Sequence, residues 1–316
     1  MPSKFGPPFD DGDADTILRS SDQVDFYVYQ TILSASSPFF KSMFSLPQPN
    51  TSAPEKQKPV IDLPENSRTI ATILTFIYPV ETAAPEPESL GDLMDGFVAA
   101  KKYDMATVSY HLNVNFAQST FVQDDPIVAF CEAYSRGLGK TCRIAARASL
   151  KCRMNLEHVV YKLQCMNVPA FHQLYNFHRA CSATAAQAVS AENLGSWTAK
   201  LPSTWWDLVV VDGKCKCVTY QYSWPYSKTF LRTQWMVSIP FHDFITRTHN
   251  ALLEHPCREA VTSHQFLAPS YKVGVCNQCQ LTLLGLPEFI RLLGDEIDRR
   301  ISEVRYYAFT QHCASQ

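Results

Sequence analysis

The fold is decided by residues 24–44, VDFYVYQTILSASSPFFKSMF, where the apolar spacing changes from that of a strand to that of a helix. Residues 24–29 alternate apolar and polar, and Thr16-Ile-Leu18 precedes them across a polar turn, so the two runs predict a β-hairpin with one buried face. From Ile32 onward the apolar residues follow helical spacing. Ser37-Pro38 supplies an N-cap and a proline at the first helical position. The stretch therefore predicts a hairpin followed by two short helices.

The next residues continue this mixed pattern up to about residue 118. A short strand is predicted at 60–63, after a polar, proline-rich loop. A helix is predicted over 67–78, where Pro79 ends it, and two more follow a second proline-rich loop, over 90–103 and 105–115. The N-terminal third of the chain therefore predicts a small α/β domain.

Short motifs in this region resemble the BTB/POZ domain over residues 13–118. They are Asp15-Thr-Ile-Leu18, Val24-Asp-Phe26, Ile32-Leu33, Ser36-Ser-Pro-Phe-Phe40, Met43-Phe44, Ile61-Asp-Leu-Pro64 and Phe76-Ile-Tyr78. Many members carry a histidine and a basic residue after the second strand, where this chain has Tyr29-Gln30. The departure argues against a charged pocket for partner peptides at that position.

The remaining two thirds of the chain is predicted to be helical. Residues 124–182 predict a helical extension that opens with the cap Asp125-Pro126, and residues 183–200 predict a loop with a helical turn. Residues 200–306 predict a C-terminal helical module that ends in an amphipathic helix from Leu286 to Val304. The fold class predicted for the whole chain is α+β, predominantly helical. Two stretches of the extension, 145–150 (AARASL) and 171–181 (FHQLYNFHRAC), resemble a group of uncharacterised fungal BTB proteins.

The start of the chain and its composition bear on location. Residues 1–12 lack the apolar region of a secretory signal and are predicted to be a disordered leader rich in Pro, Gly and Asp. No apolar run approaches the ~20 residues that span a bilayer. Eleven scattered cysteines suit reduced thiols better than a disulfide framework. We expect an intracellular protein, cytoplasmic or nuclear, without membrane association.

Two cysteine pairs form a candidate metal site. Cys276-Asn-Gln-Cys279 has the spacing that lets one turn point two sulfurs at a tetrahedral zinc, and Cys215-Lys-Cys217 has a less usual spacing. Together they predict one structural zinc ion, with His255 and Cys257 as reserve ligands. The alternative is four ordinary thiols, because free cysteine behaves as a small hydrophobe. The fungal group often carries such pairs around a tryptophan-rich helical segment, which corresponds here to Trp224 and Trp235.

The motifs of common enzyme classes are missing from the sequence. Gly139-Lys140-Thr141 imitates the end of a phosphate-binding loop, but Tyr134 stands where the motif requires glycine and the preceding segment predicts a helix. Neither HExxH nor GxSxG occurs. We expect no catalytic site.

A basic helix face is predicted from Lys140, Arg143, Arg147 and Lys151, which recur at three or four residues. Such a face is ordinarily a solvated surface, and an acidic partner is the sharper alternative. The formal net charge of −2 argues against a large nucleic-acid footprint.

These observations favour a protein-interaction adaptor. The BTB/POZ resemblance implies self-association as a homodimer, pairing with another BTB-type protein, or docking to a cullin-type ubiquitin-ligase scaffold. The contact surface it implies is the loop after Tyr78 together with Phe39, Phe40, Met43 and Phe44.

The alternative function is a transcriptional or chromatin regulator that dimerises through the BTB-like domain and touches nucleic acid with the cysteine module. Nucleic acid is the less favoured partner, because residues 270–286 hold only Lys272 as a positive charge.

Overall fold

The computed structural model describes residues 2–46, 58–79, 85–154, 168–198, 219–222, 235–271 and 286–304. The chain divides into two compact units, Met1–Ala145 and Ala146–Gln316. The domain boundaries that the sequence predicts at 118, 124, 182 and 200 remain predictions.

The first unit contains a small mixed sheet that positions its helices. Its strands are β1 (Ser3–Lys4), β2 (Thr16–Arg19), β3 (Val24–Val28) and β4 (Val60–Asp62), in the order β1-β3-β2-β4. β2 and β3 form the predicted antiparallel hairpin, with Leu18 opposite Phe26. β1 runs parallel to β3, and β4 runs parallel to β2. The hairpin read from periodicity is thus confirmed.

One face of the hairpin supplies the centre of the core, and Leu18, Phe26 and Val28 are fully buried. Asp25 is also buried, although the alternating pattern places it on the polar face. Arg19 explains this burial, because its Nε and Nη2 donate to the two carboxylate oxygens of Asp25 at 2.7 and 3.0 Å. A bidentate pair offsets the desolvation of both charges.

The predicted disordered leader is wrong, because residues 2–12 pack against the hairpin. β1 extends the sheet, and the Tyr27 backbone N–H donates to the Phe9 carbonyl at 2.8 Å. Phe9 is 1% exposed. The Phe5 ring stacks on Phe26 with 4.6 Å between centroids. Burial of Phe9 and stacking of Phe5 on Phe26 outweigh the disorder tendency of the surrounding Pro, Gly and Asp.

Eight helices accompany the sheet in the described part of residues 1–148: α1 (Gln30–Ser36), α2 (Pro38–Ser45), α3 (Ser67–Thr75), α4 (Leu90–Lys102), α5 (Ala106–Gln118), α6 (Thr120–Asp124), α7 (Pro126–Ser135) and α8 (Gly139–Ala148). The caps expected from sequence form. Ser37 accepts from the Phe40 N–H at 3.1 Å, and Asp125 accepts from the Val128 N–H at 3.2 Å. α8 crosses the boundary between the units.

The second unit is mainly helical where it is described. A 3-10 turn at Ser149–Lys151 continues α8, and the later helices are α9 (Val168–Ala186), α10 (Ala191–Thr198), α11 (Ile239–Glu254), α12 (Glu259–Thr262), α13 (His264–Tyr271) and α14 (Leu286–Glu303). The predicted amphipathic C-terminal helix corresponds to α14. Within the described ranges, no helix combines the length and the hydropathy of a transmembrane segment.

Two predictions for this unit are wrong. The predicted loop at 183–200 is helical up to residue 198, through the end of α9, a 3-10 turn at Gln187–Val189 and α10. Ala185, Ala186 and Ala188 are buried, and alanine is a strong helix former, so small residues here do not indicate a linker. The C-terminal module also contains an antiparallel strand pair, β5 (Thr219–Tyr222) and β6 (Trp235–Ser238), so Trp235 belongs to a strand and not to a helix.

A buried carboxylate anchors two arginines on α14. Glu296 is 7% exposed, and its Oε1 accepts from Arg299 Nη2 at 2.7 Å and from Arg300 Nε at 2.6 Å. Burial raises the pKa of Glu296, but the hydrogen bonds from Arg299 and Arg300 outweigh burial and leave the pKa below its ordinary value. The ionised carboxylate therefore stabilises the fold.

We expect Glu296→Gln to lower the free energy of unfolding by about 2 kcal/mol at neutral pH, because Arg300 loses a charged partner in a buried setting. A carboxylate whose pKa is lowered by folding stabilises the fold at pH values above its ordinary pKa of about 4.3. This contribution is lost as the pH falls through the lower pKa of the folded state. Urea unfolding of both proteins above and below that pH measures the difference. A loss of equal size at both pH values would contradict this account of Glu296.

Candidate partner-binding site

Helix α2 separates the four residues that the sequence predicts as a partner-binding surface. Phe40 is fully buried, and its ring stacks with that of Phe44 at 6.1 Å between centroids. Phe39 is 43% exposed, while Met43 and Phe44 are half-buried. Phe40 therefore belongs to the core. Phe39 and Met43, at i and i+4, lie on the same side of the helix and remain accessible.

Leu46 extends this accessible side, and the sequence reading missed it. It caps the C-terminal end of α2 and is 63% exposed, with its N–H donating to the Met43 carbonyl at 3.3 Å. Phe39, Met43 and Leu46 follow the i, i+4, i+7 spacing of one helix face, which is the signal that could have found it. We call these three residues the outer face of α2.

Tyr103 holds α2 in place from the end of α4. The Ser37 hydroxyl donates to the Tyr103 carbonyl at 2.5 Å, which ties the start of α2 to this residue. The Tyr103 ring stacks on Phe40 at 5.1 Å and also contacts Phe39 at 5.4 Å. The position of the outer face is thus fixed by packing beneath it.

A polar network fixes Tyr103 in turn. Its hydroxyl donates to Glu65, and Lys102 forms an ion pair with the same carboxylate at 2.8 Å. Burial and the hydrogen bond to Glu65 raise the pKa of Tyr103, so its hydroxyl stays protonated and remains a donor. The network orients the ring.

Tyr29 and Gln30 make contacts within their own unit. The Tyr29 hydroxyl donates to Asp11, and this hydrogen bond raises the pKa of Tyr29 to about 12. The Gln30 backbone N–H donates to Asp15 Oδ1 at 2.8 Å, and its side-chain amide donates to the Thr16 hydroxyl at 2.7 Å. These neutral side chains give the position after β3 no cationic group.

The loop after Tyr78 is described only at residue 79 and from residue 85 onward, where Pro85, Glu86 and Pro87 line a cleft of about 410 Å³ beside α3 and α4. Arg68 donates to the Glu86 carbonyl at 2.9 Å and pairs with Glu88. The loop is thus tied to α3 beside the cleft.

The four predicted zinc ligands, Cys215, Cys217, Cys276 and Cys279, lie outside the described residues. The reserve ligands His255 and Cys257 are described. Within the described ranges, no three His, Cys, Asp or Glu side chains, these two included, form a group that could hold a metal. Burial raises the pKa of the Cys257 thiol to about 11, so it is protonated at neutral pH.

A buried serine and histidine in the second unit make a structural contact. Ser149 Oγ donates to the Ala146 carbonyl at 2.8 Å, so the His178 Nε2–H donates to the serine oxygen at 2.8 Å. Burial, together with the neighbouring His255, lowers the pKa of His178 to about 4. A neutral histidine that donates to the serine cannot deprotonate it.

The residues of the predicted basic face do not share one environment. Lys151 pairs with Glu259 at 2.8 Å in the second unit. Lys140 and Arg143 line a groove in the first unit, where no described residue forms an ion pair with either of them. Gly139-Lys140-Thr141 opens α8 and is not preceded by a strand, which agrees with the rejection of a phosphate-binding loop.

Comparison with known protein families gives one match, which lies within the first unit. Residues 9–120 match the BTB/POZ domain family, which agrees with the hairpin, the mixed sheet and the helices α1–α5. This part of the chain is a BTB/POZ domain, a protein–protein interaction module and not a known enzyme fold. No curated protein matches the chain.

Proposed function

We propose that this protein is a non-enzymatic adaptor that binds partner proteins through the outer face of α2. The observation that carries the proposal is the combination of a BTB/POZ domain with an apolar helix face that is exposed yet rigidly supported. Burial of preformed apolar surface inside a polar rim is the usual source of affinity in protein interfaces.

Two kinds of partner fit this face: a second BTB-type chain, in the simplest case another copy of this one, and a cullin-type ubiquitin-ligase scaffold. The match of residues 9–120 to the BTB/POZ domain family supports both candidates. A cytoplasmic or nuclear location is part of the same proposal. The contact of Ser149 with His178 adds no nucleophile–base pair to this proposed adaptor, because the histidine donates to the serine oxygen.

Affinity capture of the tagged full-length chain, followed by mass spectrometry, tests the proposal. We expect recovery of untagged copies of the chain or of a cullin-type scaffold, and loss of that partner with Leu46→Arg. An arginine at the C-terminal end of α2 is compatible with the helix dipole, so the variant should stay folded. Capture of neither partner by the wild type would refute the adaptor proposal.

Val98→Arg is the matched control for Leu46→Arg. Val98 is an apolar residue of α4 in the same unit, 40% exposed and outside the outer face of α2. The Val98→Arg variant should still capture the partner. Equal loss with both variants would show that added charge, and not the α2 face, is responsible.

We further propose that Cys215, Cys217, Cys276 and Cys279 hold one structural zinc ion that joins distant parts of the C-terminal module. Four thiolates in two close pairs are a complete tetrahedral ligand set for zinc. The neutral surroundings of these pairs in the sequence favour a structural clasp over a nucleic-acid contact.

Elemental analysis of the purified protein should find about one zinc per chain, and Cys279→Ser should lower that content and destabilise the second unit. Cys181→Ser is the control, because Cys181 is a buried thiol outside the pairs and should leave the zinc content unchanged. A metal-free wild-type protein with an unchanged unfolding transition would contradict the zinc proposal.

A further inference from the structure

A groove between α4, α5 and α8 is the strongest unassigned feature of the first unit. It has a volume of about 620 Å³ and is formed entirely by residues 97–144. Phe97, Leu138 and Met105 are buried at its base, and Ile144 is half-buried. Tyr110 stands beside it with 66% of its surface exposed. The groove therefore offers apolar contact area and one projecting aromatic ring.

The charges that line this groove are mostly positive. Lys101, Lys140 and Arg143 contribute three cations, and Asp104 is the single carboxylate among the described residues of the lining. This contrasts with the formal net charge of −2 for the whole chain. A local positive field on an acidic protein attracts and selects anionic partners.

The cations are placed so that a partner can reach them. Lys101 Nζ donates to the Gly137 carbonyl at 3.3 Å, which holds the ammonium at the edge of the groove. Gly137 has a φ of +63°, the left-handed conformation that favours glycine, at the end of α7. Lys140 and Arg143 are both exposed and lie three residues apart on α8, so they present adjacent charges on one helix face.

We propose that this groove binds an acidic segment of a partner protein that carries aspartate or glutamate next to an apolar side chain. Arg143 and Lys140 pair with its carboxylates, and the apolar side chain packs against Tyr110 and Ile144. This site goes beyond the proposed function, because it is a second surface, distinct from the outer face of α2. An arginine guanidinium binds a carboxylate through two parallel hydrogen bonds, so it recognises such a segment specifically.

Fluorescence anisotropy with the full-length protein tests the groove. The probe is a fluorescein-labelled peptide of Glu-Glu-Leu repeats, and its control has every Glu replaced by Gln. We expect saturable binding of the acidic peptide, weakened at least about tenfold for the Gln peptide and about tenfold by Arg143→Glu. Added salt should weaken the binding as well.

Arg147→Glu is the matched control, because it makes the same change of net charge on the next turn of α8, outside the groove. It should weaken the binding less than Arg143→Glu does, because Arg147 does not line the groove and makes no direct contact with the peptide; only an unscreened charge effect over one helical turn, about 6 Å, remains. Leu46→Arg should also bind the peptide normally, so a failure of the groove and a failure of the α2 proposal give different results.

Three results would overturn the proposal. They are the absence of saturable binding, equal binding of the Glu and Gln peptides, and equal weakening by Arg143→Glu and Arg147→Glu. Competition with duplex DNA and with inorganic phosphate completes the test. Displacement of the peptide by DNA at lower concentration than by unlabelled peptide would show a nucleic-acid site instead, and displacement by phosphate alone would show a simple anion site.

Discussion

Replacing Phe40 by alanine is expected to lower the free energy of unfolding of the first unit by about 3–5 kcal/mol. Phe40 has no exposed surface, and its ring contacts Phe39, Phe44 and Tyr103. The alanine variant leaves a cavity beneath α2 and removes three aromatic contacts at once. Urea unfolding of the full-length chain, with amide hydrogen exchange in β3 as the local probe, measures the loss.

Phe39→Ala is the matched comparison, one residue away on the same helix. Its side chain is 43% exposed, so the expected loss is only about 1 kcal/mol, mostly from its contacts with Phe40 and Tyr103. Partner binding should show the opposite order. Phe39→Ala removes part of the outer face of α2, so it should weaken partner binding more than Phe40→Ala does. Equal stability losses would mean that α2 does not have one buried and one exposed side.

The second large effect is expected at Phe289 in the second unit. Phe289 is fully buried on α14, and its ring lies 5.2 Å from Trp197 of α10 and 5.6 Å and 6.0 Å from Phe241 and Phe244 of α11. It therefore joins three helices that are distant in sequence. Phe289→Ala should lower the free energy of unfolding of this unit by about 3–5 kcal/mol.

Amide hydrogen exchange in α14 reports this loss directly, since the helix depends on the cluster for burial. Phe289→Leu keeps most of the side-chain volume and is expected to lose less than half as much stability, about 1–2 kcal/mol. If exchange in α10 and α11 stayed slow while α14 alone exchanged faster, the cluster would not be a shared core.

The sequence predicts the first unit well because its signals are local. Alternation from Val24 to Val28 and the cap at Ser37-Pro38 each specify an element without reference to distant residues. The leader failed as a prediction because its order depends on contacts of Phe5 and Phe9 with Phe26, which are long-range. Residue composition alone does not reveal such contacts.

The candidate site shows the same limit. Helical spacing identified α2 as apolar, but it did not reveal which residues would be buried, because that depends on where Tyr103 packs. The sequence indicates the groove beside α8 only through spaced basic residues. In the fold, Lys151 pairs with Glu259, whereas Lys140 and Arg143 line the groove. Local patterns supplied the candidates, and tertiary contacts selected among them.

The central claim is that the outer face of α2 binds a protein partner. Its most direct test is the equilibrium affinity of the immobilised full-length chain for a second copy of itself and, separately, for a cullin-type scaffold. The account predicts saturable binding of at least one of them, lost with Leu46→Arg and retained with Val98→Arg. Binding of neither, or equal binding by the wild type and Leu46→Arg, would contradict it.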